Sequence, residues 1–409
     1  MELAWTRPLF AAALAVTPCL AQSNALEPPD LGRFLRWGPL RVRPGVELRN
    51  VGHDDNIFAS NAVEVGDYTA AIAPRADGLV LLGTRAFLTF YEELQYTAYA
   101  DHGDQNFLEQ RFSGRATLPV RRMGLFVDGV YNRLKERPID QLDIRTDRDE
   151  DGLGLGLILR PGWRTEVEIA RSRTEWHYSD PDADPRDSVT VGDRLDRTED
   201  RQTLEVRYRI LGRTRLTLET HVSEIDFDSA VSSDRDSREW GVLPGVDFGE
   251  GGTLAGRVRL GWTEIDPDSG EQDDFADLVG RAEVAWRPSA RTTLRVEAHR
   301  EPGFSIGTDS VFLLDARARL QALYYMNRIF GFEAAGGLGR LTFPGSTSSF
   351  EREDRVSSYE AGLRLRLGEN SLGRRVEYSL LARRARVNSN DDLQDRSRTQ
   401  IGLGAVVGF

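Results

Sequence analysis

The 409-residue sequence contains one cysteine, Cys19, and one lysine, Lys135, and after its first 21 residues it has no long apolar run. A membrane-spanning helix needs ~20 consecutive apolar residues, so the charges that interrupt every later apolar run exclude a helical membrane protein. The net charge of -12 argues against general nucleic-acid binding, and we expect no nucleic-acid partner.

The first 21 residues predict a cleaved signal peptide. Arg7 precedes an apolar stretch over residues 9–16, and small residues surround a cleavage site after Ala21. A lipoprotein would need acylation of Cys19, but Pro18 replaces the small residue expected before an acylated cysteine. Cleavage after Ala21 removes the only cysteine, so the mature chain can form no intramolecular disulfide.

From about residue 40 onward the sequence alternates apolar and polar residues with the period of a β-strand, and no segment sustains a helical period. The segment 312–324 shows the pattern clearly. Its apolar side consists of Phe312, Leu314, Ala316, Ala318, Leu320, Ala322 and Tyr324. Its polar side holds Asp315, Arg317, Arg319 and Gln321. The fold is therefore predicted to be all-β.

The breaks between these segments alternate strictly between tight turns and long acidic loops, which is typical of outer-membrane barrels. A soluble sheet of this length would need a second sheet to cover its apolar face, whereas closure in lipid needs none. We expect an antiparallel transmembrane β-barrel of about eighteen strands, with sixteen possible, over residues 40–409. A short periplasmic segment over residues 22–39 precedes it, and both termini are periplasmic.

Arginine at the bilayer midplane on the lipid face costs ~2 to 4 kcal/mol, so alternation assigns most arginines to the lumen. The predicted lumen-lining and selectivity residues are Arg207, Arg209, Arg257, Arg259, Arg281, Arg295, Arg317, Arg319, Arg364 and Arg366, with Arg41, Arg43 and Arg49 on the first strand. Alternatively, these arginines pair with glutamates to fill a closed interior. The candidate partners are Glu205, Glu283, Glu297, Glu333, Glu360 and Glu377.

Two segments depart from the alternation. Glu92 falls on the apolar side of its strand, and residues 163–178 change phase near Arg171. A bulge, or a strand that continues above the membrane, accounts for either departure. Interfacial aromatic girdles are expected near the strand ends. Their candidate members are Tyr68, Tyr131, Trp240, Trp262, Trp286, Tyr324, Tyr359 and Phe409.

The last strand carries a candidate assembly signal. Leu403, Ala405, Val407 and the terminal Phe409 are apolar at every second position, with Gly404 and Gly408 among the residues that separate them. An aromatic carboxy-terminus on such a strand resembles the signal that the β-barrel assembly machinery reads. That machinery and the lipid of the outer membrane are the expected partners.

His53, followed by Asp54 and Asp55, suggests a divalent-cation site, against the simpler interpretation of a turn stabilised by Asp side chains. Histidines near acidic loop residues also leave room for a rim active site. The sequence contains no serine-nucleophile motif and no phosphate-binding glycine loop. We therefore predict no catalytic residue, no metal site and no cofactor.

The strand with Pro44 and Gly45, followed by the motif from Asp54 to Phe58, resembles the opening of the putative β-barrel porin 2 family. The resemblance implies an outer-membrane barrel associated with surface-polysaccharide production. It also implies a role as a conduit for exopolysaccharide, with polysaccharide export components as partners.

Two functions follow as hypotheses. The first is passage of exopolysaccharide or anionic solutes through an arginine-rich lumen. The alternative is an adhesive or structural outer-membrane barrel that acts through its long acidic extracellular loops and has a closed lumen. Neither hypothesis makes the protein an enzyme.

Overall fold

A computed structural model describes residues 26–29, 34–58, 60, 63–83, 85–136, 146–179, 189–249, 251–270, 274–305, 311–343, 352–367, 375–391 and 395–408. The predicted signal peptide and Phe409 lie outside the described residues.

Nineteen strands lie in this part of the chain. The first ten are β1 (Leu35–Trp37), β2 (Leu40–Asp54), β3 (Asp67–Leu82), β4 (Ala86–Tyr99), β5 (Phe107–Val120), β6 (Met123–Glu136), β7 (Thr146–Leu159), β8 (Thr165–Ser179), β9 (Arg197–Leu211) and β10 (Thr214–Phe227). The others are β11 (Ser237–Phe248), β12 (Leu254–Pro267), β13 (Phe275–Ser289), β14 (Thr292–Phe304), β15 (Phe312–Tyr325), β16 (Phe330–Phe343), β17 (Arg352–Leu367), β18 (Arg375–Ser389) and β19 (Arg396–Gly408).

In the described part of the chain, helical structure is confined to the long loops. It comprises α1 (Val191–Leu195) and two 3₁₀ turns, Gly103–Gln105 and Ser233–Arg235. Among the described residues no helix is both long enough and apolar enough to cross a membrane.

The strands β2 to β19 form one closed antiparallel barrel, because each pairs with its sequence neighbour and β19 pairs with β2. The short strand β1 adds only a hairpin to β2. Closure pairs the strand edges that hydrocarbon would otherwise leave without hydrogen-bond partners. The predicted antiparallel transmembrane barrel of about eighteen strands is confirmed, and both ends of the barrel sheet lie on the short-turn side.

The barrel has apolar residues outside and charged residues inside, the reverse of a soluble domain. Leu153 and Leu338 are 64% and 67% exposed on the outer face, whereas Glu47 and Asp54 are 1% exposed on the inner face. Large aromatic residues are also exposed on the outer face. They are Tyr68, Trp240, Trp262, Trp286, Tyr324 and Tyr359.

One bulge interrupts β2. Asn50 has a φ of 52°, and the register of β2 shifts between Arg49 and Gly52 in the pairing with β3. A Cβ at Gly52 would lie 1.9 Å from the carbonyl oxygen of Ile401, so only glycine lets β19 approach β2 here.

Strand β8 shows how the alternation inverts towards the long loops. Its register with β7 and β9 is unbroken. The phase change near Arg171 therefore comes from a strand that continues beyond the apolar band, not from a bulge. At its loop end, Trp176 and Tyr178 are buried inside while His177 is exposed outside.

The end of β10 repeats this inversion, with Ile225 and Phe227 inside and Glu224 and Asp226 outside. Beyond the hydrocarbon the outer face meets water, so polar residues are favourable there. Apolar residues on these strand ends can then turn inwards and cover the mouth of the barrel.

Candidate functional site: the inner wall of the barrel

Ion pairs that skip neighbouring strands identify the inner wall. Nη2 of Arg281 on β13 lies 2.5 Å from Oε2 of Glu219 on β10. Nη2 of Arg259 on β12 lies 3.3 Å from Oε1 of Glu205 on β9. Side chains from strands three positions apart meet only across the concave side of a curved sheet. Strand alternation then extends the inner face from these residues to their neighbours.

All ten predicted lumen arginines occupy inward positions in this alternation, and eight have a carboxylate oxygen within 3.8 Å. The eight are Arg207, Arg257, Arg259, Arg281, Arg317, Arg319, Arg364 and Arg366. Arg209 and Arg295 have no ion pair with any described residue. The inner wall is therefore largely neutralised by its own carboxylates.

Several of these arginines contact more than one carboxylate. Arg207 contacts Glu166 at 2.7 Å and Glu168 at 3.0 Å, and it also pairs with Glu205. Arg364 lies 2.6 Å from Glu333 and also pairs with Glu377. Of the six glutamates considered as partners from the sequence, only Glu297 has no ion pair within the described chain.

A second network on β2 to β5 was not predicted. Nη2 of Arg49 lies 2.7 Å from Glu47 and 2.8 Å from Glu93. Arg75 reaches Glu47 at 2.5 Å, and Arg111 reaches Glu93 at 3.1 Å. The available signal was the row of acidic residues at inward positions of three successive strands.

The short-turn end of β12 to β14 carries charges that water reaches. The side chains of Arg257 and Glu283 are 59% and 69% exposed, although both face inwards, and they are 3.8 Å apart. Arg295 and Glu297 on β14 are also exposed. This sector of the inner wall is therefore hydrated, in contrast to the tightly paired networks elsewhere.

The long-loop end holds an apolar cluster, here called the mouth cluster. Its buried members are Trp176, Tyr178, Val191, Leu195, Ile225, Phe227, Ile265, Phe275, Phe304, Val311, Phe312, Leu313, Leu341 and Phe343. They come from α1 and the ends of several strands. The prediction that Phe312 faces lipid is wrong, because it is only 4% exposed and its ring centroid lies 5.6 Å from that of Phe304.

The segment before the barrel contacts inward residues near the short turns. Leu26 packs with Phe126 and Ile158. Phe34 packs against Leu79, and the guanidinium carbon of Arg41 lies 5.2 Å from the Phe34 ring centroid. These contacts place apolar residues of the segment against the inner wall.

The suggested cation site at His53 and Asp54 does not assemble. His53 is exposed on the outer face beside Tyr68, with ring centroids 5.2 Å apart. Asp54 is buried inside, where it pairs with Arg398 and accepts a 2.7 Å hydrogen bond from Gln400. Within the described ranges, no group of three or more His, Cys, Asp and Glu side chains is placed to hold a metal ion.

His102, like His221 and His299, lies close to a buried carboxylate. Its Nδ1 is 2.9 Å from Oδ2 of Asp67. The Asp67 carboxylate also accepts hydrogen bonds from the backbone N–H groups of Asp101 and His102. This arrangement fastens the loop after β4 to the start of β3.

On the terminal strand, Leu403 is 56% exposed on the outer face, with Ala405 and Val407 on the same side in the alternation. Glu92 also lies on the outer side of its strand. Its Oε1 accepts a 2.9 Å hydrogen bond from Nε2 of Gln110 on β5, which gives the carboxylate a polar partner on the lipid side.

A closed eighteen-stranded barrel with an apolar exterior and a charged interior defines the class of outer-membrane porins. The chain belongs to the putative beta-barrel porin 2 family, whose model matches residues 35–409. A comparison with curated proteins finds no match.

Several solved outer-membrane proteins are similar to this chain. OpdK from Pseudomonas aeruginosa is 10% identical, with a TM-score of 0.49, over 90% of this chain and 99% of that one. OccK2 (OpdF) from the same organism is 11% identical, with a TM-score of 0.49, over 90% and 97%. OccAB3 from Acinetobacter baumannii is 11% identical, with a TM-score of 0.48, over 90% and 99%.

Proposed function

We propose that the barrel is an aqueous outer-membrane conduit that passes anionic solutes, including acidic exopolysaccharide chains. The observation that carries this proposal is the exposure of Arg257 and Glu283 on the inner face. Burying a charge without a close partner is costly, so this exposure supports a lumen that is open to water from its short-turn end.

The free guanidinium groups supply the preference for anions. Arg209 and Arg295 have no ion pair among the described residues, and Arg257 is only loosely paired. Guanidinium groups bind carboxylates and phosphates through paired hydrogen bonds. Glu283 and Glu297 oppose them in the same sector, so the excess positive charge is small and we expect a modest anion preference.

The closed, adhesive barrel retains support from two observations. Most inward arginines are paired, and the mouth cluster covers part of the long-loop end. In that alternative the acidic loops would bind the partner. Conduction separates the two functions, because a closed barrel passes no current.

The test is single-channel conductance of the purified, folded protein in planar bilayers, with the reversal potential measured under a salt gradient. We expect discrete steps with mild anion preference in the parent. Replacing Arg257 and Arg295 with glutamine should shift the reversal potential towards cation preference. The matched pair Glu283→Gln and Glu297→Gln should shift it the opposite way. A folded barrel without current, or identical reversal potentials in all three proteins, would overturn the proposal.

The partners of such a conduit belong to the same proposal. They are outer-membrane lipid, the β-barrel assembly machinery that reads the last strand, and components of polysaccharide export.

The assembly signal at Leu403, Ala405, Val407 and Phe409 stays a prediction. A Phe409→Ala variant should lower the yield of folded barrel in cells.

A further inference from the structure

Charges on the outer face above the apolar band are distributed unevenly around the barrel. On β6 to β9, four basic residues oppose five acidic ones. They are Arg133, Lys135, Arg171 and Arg173 against Asp147, Asp149, Asp151, Glu175 and Asp200. On β10 to β12 the outward charges are Arg238 against Glu224, Asp226, Glu264 and Asp266. Both sectors are therefore acidic on balance.

The sector formed by β16 to β18 has the opposite sign. Its outward residues above the apolar band include Arg340, Arg355, Arg384 and Arg386, here called the basic rim, with Glu353 as the acidic residue among the described positions. Arg340 and Arg355 are direct cross-strand partners, and they share Glu353 at 3.3 Å and 2.8 Å. One carboxylate thus serves two arginines.

Arg384 and Arg386 have no ion pair with any described residue, and both are exposed. They lie two residues apart on one face of β18, opposite Tyr359 and Ser357 of β17. The acidic residue on their other side is Glu64, whose carboxylate accepts a 3.3 Å hydrogen bond from Ser397, the cross-strand partner of Arg386. Glu64 lies beyond ion-pair distance of Arg386.

The surface beside and below the basic rim is apolar. Tyr359 and Leu338 are 61% and 67% exposed there. Aromatic residues at this position mark the level of lipid head groups. An occupant of this surface therefore needs an anionic head and acyl chains that can lie along the lower strands.

We propose that the basic rim binds the phosphate groups of a phosphorylated glycolipid in the outer leaflet. The long connections of outer-membrane barrels lie on the extracellular side, so this rim faces the outer leaflet. Arginine pairs with phosphate through two parallel hydrogen bonds. Arg340 and Arg355 are cross-strand partners, and Arg384 and Arg386 lie two residues apart on the next strand, so their four guanidinium groups can reach one lipid head group. The proposal does not depend on whether the lumen conducts.

The experiment measures lipid binding to the full-length barrel by native mass spectrometry. The probes are a bisphosphorylated lipid A and the same lipid without phosphates. The test variant is Arg384→Gln with Arg386→Gln. The control variant is Arg171→Gln with Arg173→Gln, which removes two outward arginines at the same spacing that already pair with Asp200 and Glu175.

We expect the parent to bind the phosphorylated lipid ~10-fold or more tightly than the dephosphorylated one, because two charge-assisted contacts are involved. The test variant should lose this preference, and the control variant should keep it. Equal binding of both lipids by the parent would overturn the proposal. So would an equal loss in both variants, or full displacement of the lipid by millimolar inorganic phosphate. Heat-dependent gel mobility verifies that each variant is folded.

Discussion

Some glutamates of the inner wall form ion pairs with two arginines each. Glu360 lies 3.2 Å from Arg319 on β15 and 2.7 Å from Arg383 on β18. Glu93 similarly holds Arg49 and Arg111. In each case the two arginines lie on strands that are not hydrogen-bonded to each other. The shared carboxylate links those strands across the interior and stiffens the barrel.

Replacing Glu360 with glutamine should therefore destabilise the barrel. The change leaves two inward guanidinium groups without a counter-charge. Removing one partner of a fully buried pair costs ~3 to 5 kcal/mol, and partial exposure of Arg319 reduces this to about 2 kcal/mol. Urea unfolding in lipid vesicles, followed by tryptophan fluorescence, measures the loss.

Glu283→Gln is the matched control for that measurement. Glu283 is well exposed and lies 3.8 Å from its arginine, and exposed pairs contribute about 0 to 1 kcal/mol. Equal destabilisation by the two substitutions would contradict the organising role of Glu360.

Consecutive residues of each strand face opposite sides, one towards lipid and the next towards the lumen. On β15, Leu320 is 52% exposed outwards, and the next residue, Gln321, faces inwards and pairs with Glu333. A Leu320→Arg variant should lose ~2 to 4 kcal/mol, because it places a charge in hydrocarbon. Gln321→Arg should stay within about 1 kcal/mol of the parent, since it adds a cation beside a carboxylate. Unfolding in vesicles compares them, and similar losses would mean that the faces are assigned wrongly.

Some of the acidic loop residues have a structural task at the strand ends. In four hairpins with long loops, the side chain of the residue just before the second strand accepts a hydrogen bond from a backbone N–H at the end of the first strand. This occurs from Tyr99 to Asn106, from Tyr178 to Asp196, from Phe227 to Asp236 and from Ser389 to Asp395. Part of the acidic loop charge therefore closes hairpins and is not free to bind a partner.

Substitutions of Asp236 test this task. Burial raises the pKa of Asp236, so the charged form is penalised at neutral pH and stability should rise as the pH falls towards the carboxyl range. Asp236→Asn keeps the acceptor and removes that pH dependence. Asp236→Ala should cost about 1 to 2 kcal/mol locally. Hydrogen exchange of the Phe227 amide, corrected for intrinsic rates, measures this cost, and equal protection in the Ala and Asn variants would refute it.

The alternation of residues was sufficient to predict the barrel because an arginine on the lipid face is so unfavourable that each strand has one allowed phase. The pairing of the arginines was not predictable in the same way. Contacts such as that between Arg281 and Glu219 depend on the curvature that brings β13 and β10 together. The mouth cluster was not predicted, because its members lie on α1 and on the ends of several strands that only the closed barrel brings together. The change of phase near Arg171, which the end of β10 repeats, was a usable signal.

The mouth cluster also narrows the interior of the whole barrel at its long-loop end. Phe304 is fully buried at its centre, 5.0 Å from the ring of Phe227 and 5.6 Å from that of Phe312. Arg197, which is also fully buried, stacks over Trp176 at 4.4 Å. In the proposed conduit, a solute that crosses the long-loop end passes beside this cluster.

Replacing Phe304 with alanine should raise the single-channel conductance, because it removes a large side chain from the packed mouth and loosens its neighbours. The ion preference should change little, since the inward arginines near the short turns are untouched. Phe332→Ala is the control, because Phe332 is a 44% exposed residue of the outer face and should leave conductance unchanged. An unchanged conductance in the folded Phe304→Ala variant would mean that the permeation path bypasses the mouth cluster. An equal rise in both variants would assign the change to altered lipid packing around the barrel.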